Sequence, residues 1–389
     1  MLKKHNKIGI ISALGTSQTI AWASSYYLPA VLATPAAKDM GISPVWFYSA
    51  FSAALVISAM VGPWGGARID RLGGRGMLMG SNLVFAAGLC LLGVSEGAAA
   101  LFAAWAILGV GMGIGLYDSA FAALTAIHNH EARNSITGIT LIAGFASTVG
   151  WPLSSLMEAH FGWREACLGW ALLHLFLALP LNALLPAGLH PKTRAESEAT
   201  HFTAPCEPEF IQLALLGFVF AVTWFTSTAM AVHLPRLLEM AGATSVAAVA
   251  AGALIGPAQV CARIFEFALL RNANPLISTR LAILAHPLGA GILVFLGGPA
   301  AIAFVLLHGA GNGIMTIAKG TLPLTLFGPA GYGLRQGIIS LPARSLQAFA
   351  PLIFGVVLEL HGKNAIWLTV ALGLAAFAAL MTLRIRTAA

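Results

Sequence analysis

The sequence predicts an all-α membrane protein of twelve transmembrane helices, arranged as two six-helix halves related by pseudo-symmetry. Three observations predict it. The 389 residues are 58% hydrophobic and only 9% charged, with a mean hydropathy of +0.84. That composition excludes an ordinary soluble domain. Apolar runs long enough to cross a bilayer recur along the whole chain. Short sequence patterns in the first half return in the second at an offset of about two hundred residues.

The runs fall at 8–33, 44–67, 77–95, 98–126, 136–157, 165–186, 210–235, 245–270, 279–297, 299–327, 335–358 and 364–384. The first is too long, and too rich in polar and aromatic residues, to read as a cleaved signal peptide. The longest polar stretch, Pro186 to Glu209, reads as a linker. The expected organisation is therefore residues 1–188 as one six-helix half, 189–208 as a cytoplasmic linker and 209–389 as the other half.

Orientation follows from lysine and arginine. With an even number of spans both termini share a side. That side would hold Lys3, Lys4, Lys7, Arg68, Arg71, Arg75, Arg133, Lys192, Arg194, Arg271, Arg280, Arg335, Arg384 and Arg386. The other would hold Lys38, Arg164, Arg236 and Lys363. Both termini are thus expected in the cytoplasm, and the chain in the cytoplasmic (inner) membrane. The net charge of +7 reads as a topology signal, not as a nucleic-acid footprint. The loops are too short for a soluble catalytic domain, so no enzyme is expected. Cys90, Cys167, Cys206 and Cys261 lack metal or redox spacing. No metal or cofactor is expected.

The repeat is concrete. Gly15 precedes Trp22 by seven residues, Ser24-Ser25 follow, then Leu28-Pro29. Gly217 precedes Trp224 by seven, Thr226-Ser227 follow, then Leu234-Pro235. In span two Gly62-Pro63 is followed by Ala67-Arg68-Ile69, and in span eight Gly256-Pro257 by Ala262-Arg263-Ile264.

Between spans two and three lies Gly62 to Gly76, with three arginines, one aspartate and six glycines in fifteen residues. Asp70 stands among Arg68, Arg71 and Arg75, a charge cluster at a membrane surface. Gly66-x-x-x-Asp70-Arg71-x-Gly73-x-Arg75 resembles the signature of the major facilitator superfamily, with departures at Arg68 and Gly74. The resemblance covers essentially the whole chain. It implies two six-helix bundles, alternating access, a site between them near mid-membrane, and a gating role for Asp70, Arg71 and Arg75. A narrower resemblance rests on Gln18-x-x-x-Trp22-x-x-x-Tyr26-Tyr27-x-x-x-Val31, Met40-Gly41-Ile42-Ser43 and Arg263. It is similar to the prokaryotic monocarboxylate-porter and oxalate–formate-antiporter branch.

Ionisable residues inside spans are costly and mark function by default. Asp118 follows Gly109-x-Gly111-x-Gly113-x-Gly115-x-Tyr117 in span four. No strand precedes those glycines, so they read as helix-packing positions and not as a dinucleotide loop. Asp118 is either a proton carrier or a structural partner of Arg71 or Arg75. In span eight Gln259 and Arg263 share a face one turn apart, and Glu266 follows by three. Arg263 either meets a substrate carboxylate, as the resemblance implies, or neutralises Glu266. Glu266 is the second acid that a coupled proton could use. The resemblance places an acid where Gln259 stands, which argues against simple proton-linked uptake. Lys319 either reaches the surface by snorkelling or points inward, whereas Arg344 lies nearer mid-span. Trp22, Tyr26 and Trp224, with Gln18, either shape a pocket or belong to the interfacial aromatic belt. His174, His233, His286 and His308 are ambiguous between helix packing and titration.

Three basic groups against two acids within the spans suit an anionic substrate. The expectation is a monomeric secondary-active transporter of a small organic anion, a carboxylate for preference, with proton symport as the expected coupling. The alternative is an exporter of amphipathic compounds or another small solute on the same fold. Lipid and a small molecule are its partners in either case, and nucleic acid is not.

Overall fold

The computed structural model describes residues 6–187, 207–270 and 274–383, all helix, turn or short connection, with no strand among them. Nearly all of the linker, residues 189–206, falls outside them. So do Lys3, Lys4, Lys192, Arg194, Cys206, Arg271, Arg384 and Arg386. Nine helical stretches among the described residues are long and apolar enough to cross a membrane. Two of them, Ala98–Phe161 and Tyr332–Thr382, are 64 and 51 residues long. Both exceed one crossing, which takes about 20 residues, and they cover the expected spans four and five and spans eleven and twelve. The first span, which breaks into two shorter helices, completes the twelve.

The first-half helices are α1 Asn6–Ala23, α2 Pro29–Asp39, α3 Pro44–Leu72, α4 Gly74–Gly93, α5 Ala98–Gly115, α6 Tyr117–His128, α7 Ala132–Ala143, α8 Ala146–Phe161, α9 Trp163–Leu173 and α10 Leu179–Ala183. The second-half helices are α11 Glu207–Met240, α12 Ser245–Ala253, α13 Ile255–Phe265, α14 Pro275–Leu296, α15 Ala301–Phe327, α16 Tyr332–His361 and α17 Ile366–Thr382. A π turn, His174–Ala178, joins α9 to α10, and another, Glu266–Leu270, follows α13.

By contact the chain forms two units. One is Met1–Thr203 with Phe327–Ile338, and the other is Ala204–Leu326 with Ile339–Ala389. The first turns of α16 therefore group with the N-terminal unit, while the rest of that helix groups with the other.

Close helix packing repeats in both units. In the first, a Cβ on Gly109 would lie 2.6 Å from the Ala54 carbonyl, and one on Gly113 would lie 3.1 Å from the Ser58 carbonyl. In the second, Gly309 and Gly313 meet Ile255 and Gln259 in the same way, at 3.0 and 2.5 Å. Small residues spaced by four let backbones touch, which is how apolar helices associate where the solvent is also apolar. The core of the second unit is built by Phe225, Met230, Leu234, Leu237, Phe304, Phe354 and Leu358, all buried. In the first unit Arg164 donates to Gly93 O and Ser95 O at 3.1 and 2.9 Å, and pairs with Asp39 at 3.0 Å. Gly162-Trp163-Arg164 thereby ties the ends of α2, α4 and α9, satisfying a carbonyl that the α4 terminus leaves open.

Four expected continuous spans are interrupted: span five between Ala143 and Ala146, span eight between Ala253 and Ile255, and spans one and four. Span one stops at Ala23 and resumes at Pro29, whereas its repeat, α11, runs unbroken through Thr226-Ser227. Ser25 Oγ returns to Ala21 O at 2.5 Å, and Ser24 Oγ lies 2.7 Å from His174 Nε2. Serine side chains that bond the local backbone compete with the helix. Span four breaks at Leu116, which is extended (φ −82°, ψ −170°). Four alternating glycines before it weaken the helix.

Candidate functional site

In the first unit the break in span four gathers polar groups. Gln18 Nε2 donates to Gly115 O at 2.6 Å, satisfying a carbonyl at the end of α5. Gln18 Oε1 and Trp22 Nε1 are buried without a hydrogen-bond partner. The Trp22 ring lies 4.9 Å from Tyr117 and 5.3 Å from Tyr26, centroid to centroid. Tyr26 in turn touches Tyr27 and Phe51. These aromatics pack as one cluster beside the break. Discontinuous helices of this kind are where transporters bind solutes.

Asp118 is buried in the first turn of α6, where a carboxylate complements the helix dipole. Its Oδ1 accepts from Gln336 Nε2 at 3.1 Å. Arg71 is exposed and Arg75 half-buried.

Asp70 is buried at the end of α3. Its carboxylate accepts from the backbone N–H of Gly333 and of Leu334, each at 2.8 Å. Those are first-turn donors of α16, which no intrahelical carbonyl can satisfy. Asp70 thus caps α16 from another helix, and its hydrogen bonds go there and not to Arg68, Arg71 or Arg75. Arg68 instead stacks on Trp64. Beside this cap Gly62-x-x-x-Gly66 crosses Gly333-x-x-x-Gly337. A Cβ on Gly66 would collide with the Gly333 carbonyl, and one on Gly337 would lie 2.5 Å from Pro63 Cα. Neither Gly333 nor Gly337 was expected from sequence. The matching small-residue spacing was the signal that could have found them.

In the second unit Arg263 is buried, with 5% of its surface exposed. Its guanidinium donates to Gln259 Oε1 at 3.3 Å, Thr316 Oγ1 at 3.4 Å and Gly313 O at 3.3 Å. The shared face of Gln259 and Arg263 is thus occupied, and it is turned toward α15. Glu266 is buried at the start of the π turn after α13. Lys319 is 4% exposed. It does not snorkel, and its Nζ lies 5.4 Å from the centre of the Trp224 ring, over its face. Arg344 is 7% exposed, on α16.

The histidines separate. His174 Nδ1 donates to Asn82 Oδ1 at 2.8 Å, and its Nε2 meets Ser24. Its ring stacks on Phe85. With both nitrogens engaged it is a packing residue at the break in span one. His286 and His308 face each other, Nδ1 to Nδ1, at 3.0 Å. That pairing joins two spans, and no spacing along the chain announced it.

Apolar helices broken at polar side chains, with cations and acids buried inside them, define a multi-pass membrane protein of the solute-carrier type. The chain belongs to the Major Facilitator Superfamily, whose family model matches residues 14–341. That family and its fold are those of transporters, not enzymes. Among characterised and uncharacterised relatives, the chain is 26% identical over 340 residues to an uncharacterized 38 kDa protein in the 23S RNA operon of Thermoproteus tenax, covering 86% of this chain and 84% of the relative. It is 28% identical over 171 residues to the proton myo-inositol cotransporter hmit-1.2 of Caenorhabditis elegans, covering 43% of this chain and 26% of that one. Among solved structures, the human organic anion transporter MFSD10 (TETRAN) aligns with a TM-score of 0.72 at 17% identity, over 97% of this chain and 100% of the other. The proton:xylose symporter XylE, bound to 6-bromo-6-deoxy-D-glucose, aligns with a TM-score of 0.77 at 13% identity, over 96% and 94%. At those identities the structures share the fold. They do not carry the monocarboxylate and oxalate–formate branch, which stays an expectation.

Proposed function

We propose that this protein is a secondary-active transporter of a small organic anion, a carboxylate for preference, working by alternating access in the cytoplasmic membrane with both termini inside. The observation that carries this reading is the charge inside the second unit. Arg263, Lys319 and Arg344 are all buried, with 4–7% of their surface exposed. Among the described residues, Glu266 is the one acid that is buried in that unit. Three buried cations in one unit make its interior positive and favour an anion. A substrate carboxylate supplies one, and Gln259 and Trp224, beside Arg263 and Lys319, would shape its place.

The test is uptake into proteoliposomes of labelled lactate, oxalate and citrate, with and without a pH gradient, with xylose and myo-inositol as competitors. Saturable carboxylate uptake that neutral polyols do not inhibit is the expected result. A second reading is a neutral polyol as substrate. It is favoured by Gln18 Oε1 and Trp22 Nε1, which are uncharged and without a partner, and Tyr26 would then flank the solute. Polyol uptake that carboxylates do not inhibit would replace the first reading by the second.

Proton linkage belongs to the proposal, with Asp118 and Glu266 as the acids concerned. Asp118→Asn is expected to abolish pH-driven accumulation while counterflow of preloaded substrate persists. The amide keeps a hydrogen bond with Gln336 and loses the proton. Undiminished pH-driven accumulation in the variant would remove Asp118 from the coupling.

A further inference from the structure

We infer that His286 and His308 form a binding site for one proton in the second unit, with His308 Nε2 as the atom that receives it. The inference rests on the geometry of the pair and not on the transport reading. It adds a proton site distinct from Asp118.

The hydrogen-bond chain sets the direction. Thr369 Oγ1 lies 2.8 Å from Ile366 O and 2.9 Å from His286 Nε2. The hydroxyl has one proton, and the carbonyl can only accept, so that proton goes to Ile366. His286 Nε2 must then carry hydrogen and donate to Thr369. In a neutral imidazole only one nitrogen carries hydrogen, so His286 Nδ1 is a lone pair. It lies 3.0 Å from His308 Nδ1, which must therefore be the donor. That leaves His308 Nε2 as a lone pair. Its other contacts are rings, His286 and Phe304. Both histidines are buried, as is Thr369.

The open nitrogen has a place to meet a proton. His308 and His286 line a cavity of about 40 Å³ with Thr223, Thr226, Asn312 and Thr369. That is room for a water molecule, which needs about 10–15 Å³ of such space. Thr226 Oγ1 and Asn312 Oδ1 are buried without a hydrogen-bond partner. They are the acceptors that an imidazolium N–H would need, directly or through water. Protonation adds H⁺ to the Nε2 lone pair and makes His308 an imidazolium that still donates through Nδ1. A second proton would have to enter at His286 Nδ1. Two N–H groups would then face each other at 3.0 Å, so the capacity is one.

No charged group lines the cavity. On the helices that form it, Arg280 donates to Leu380 O and Leu383 O, and Lys319 lies over Trp224. His233 Nε2 meets Pro351 O. Arg236 pairs with Glu359, and Glu209 and Glu239 lie in the first and last turns of α11. The described part of α17 carries no charge.

The experiment is solid-state NMR of the full chain in liposomes with ¹⁵N-labelled histidine. Signals of the pair are assigned by their loss in His308→Gln and His286→Gln. At about pH 8, His308 is expected as the Nδ1–H tautomer and His286 as the Nε2–H tautomer. On acidification one ring nitrogen, His308 Nε2, gains a proton and His286 does not follow. Thr369→Val removes the acceptor that fixes the direction, so both tautomers of the pair should appear. Three results would overturn the inference: His308 carrying Nε2–H at the alkaline end, both rings taking protons together, or no protonation down to about pH 4. None of these readouts needs a substrate. A failure here is therefore distinct from a failure of the carboxylate reading.

Discussion

Arg263→Lys is expected to weaken carboxylate binding about a hundredfold while leaving the protein folded. Charge-assisted hydrogen bonds contribute roughly 1.5–3 kcal/mol each. Lysine keeps the charge but has no planar fork to hold two carboxylate oxygens. The guanidinium already reaches Gln259, Thr316 and the Gly313 carbonyl. It is thus held in one orientation on a face where α13 meets α15, and a substrate would meet a preset donor. Arg263→Ala should abolish binding outright. The competing role, neutralising Glu266, separates on the double variant. If the two only balance each other, removing both leaves no lone buried charge, and transport returns. If Arg263 holds substrate, Arg263→Ala with Glu266→Ala stays inactive although it folds. Carboxylate binding by that double variant, read by calorimetry, would refute the assignment.

Asp70→Asn and Gly66→Ala are each expected to slow transport at least tenfold without a matching loss of expressed protein. Both act on the start of α16. Asp70→Asn leaves one acceptor oxygen for the two N–H groups of Gly333 and Leu334, so one charge-assisted bond becomes neutral, about half as strong, and the other is lost, because an amide NH2 cannot accept. Gly66→Ala drives a methyl into the Gly333 carbonyl, and overpacking of this kind costs about 1–3 kcal/mol. If docking of the α16 start differs between the states of a transport cycle, each change shifts their balance by that difference. About 1.4 kcal/mol is enough for a tenfold shift. The measurement is initial transport velocity in reconstituted protein, with thermal denaturation alongside. Velocities equal to the unmodified protein in both variants would exclude a gating role for this contact.

Several features are legible in the sequence itself. The apolar runs are a local property of composition, and so was the membrane class. The signature around Asp70 drew attention to the end of α3, and the basic residues read as lying inside spans, Arg263, Lys319 and Arg344, are buried in the second unit. The shared face of Gln259 and Arg263 follows from helix periodicity alone, and the two side chains bond. Span positions were legible for the same reason, because a stretch of some twenty apolar residues has few alternatives to a helix in lipid.

Other features depend on contacts between distant residues, and these only the tertiary structure decided. Asp70 stands among arginines along the chain, yet its carboxylate bonds backbone donors 263 and 264 residues away. Unsatisfied helix-end N–H groups attract a buried carboxylate, and solvent-facing guanidinium groups have water instead. The break at Leu116 was hidden because alternating glycines suit both close packing and a broken helix. Gln18, 97 residues distant, is what satisfies the carbonyl exposed there. His174 and His308 read alike along the chain, each a lone histidine in an apolar helix. In three dimensions Asn82 and Ser24 occupy both nitrogens of the first, while the second lines a small cavity. Spacing reports which residues share a helix face. Which donors and acceptors remain unsatisfied is settled by the neighbouring helices, and at this site chemistry follows from the groups left over.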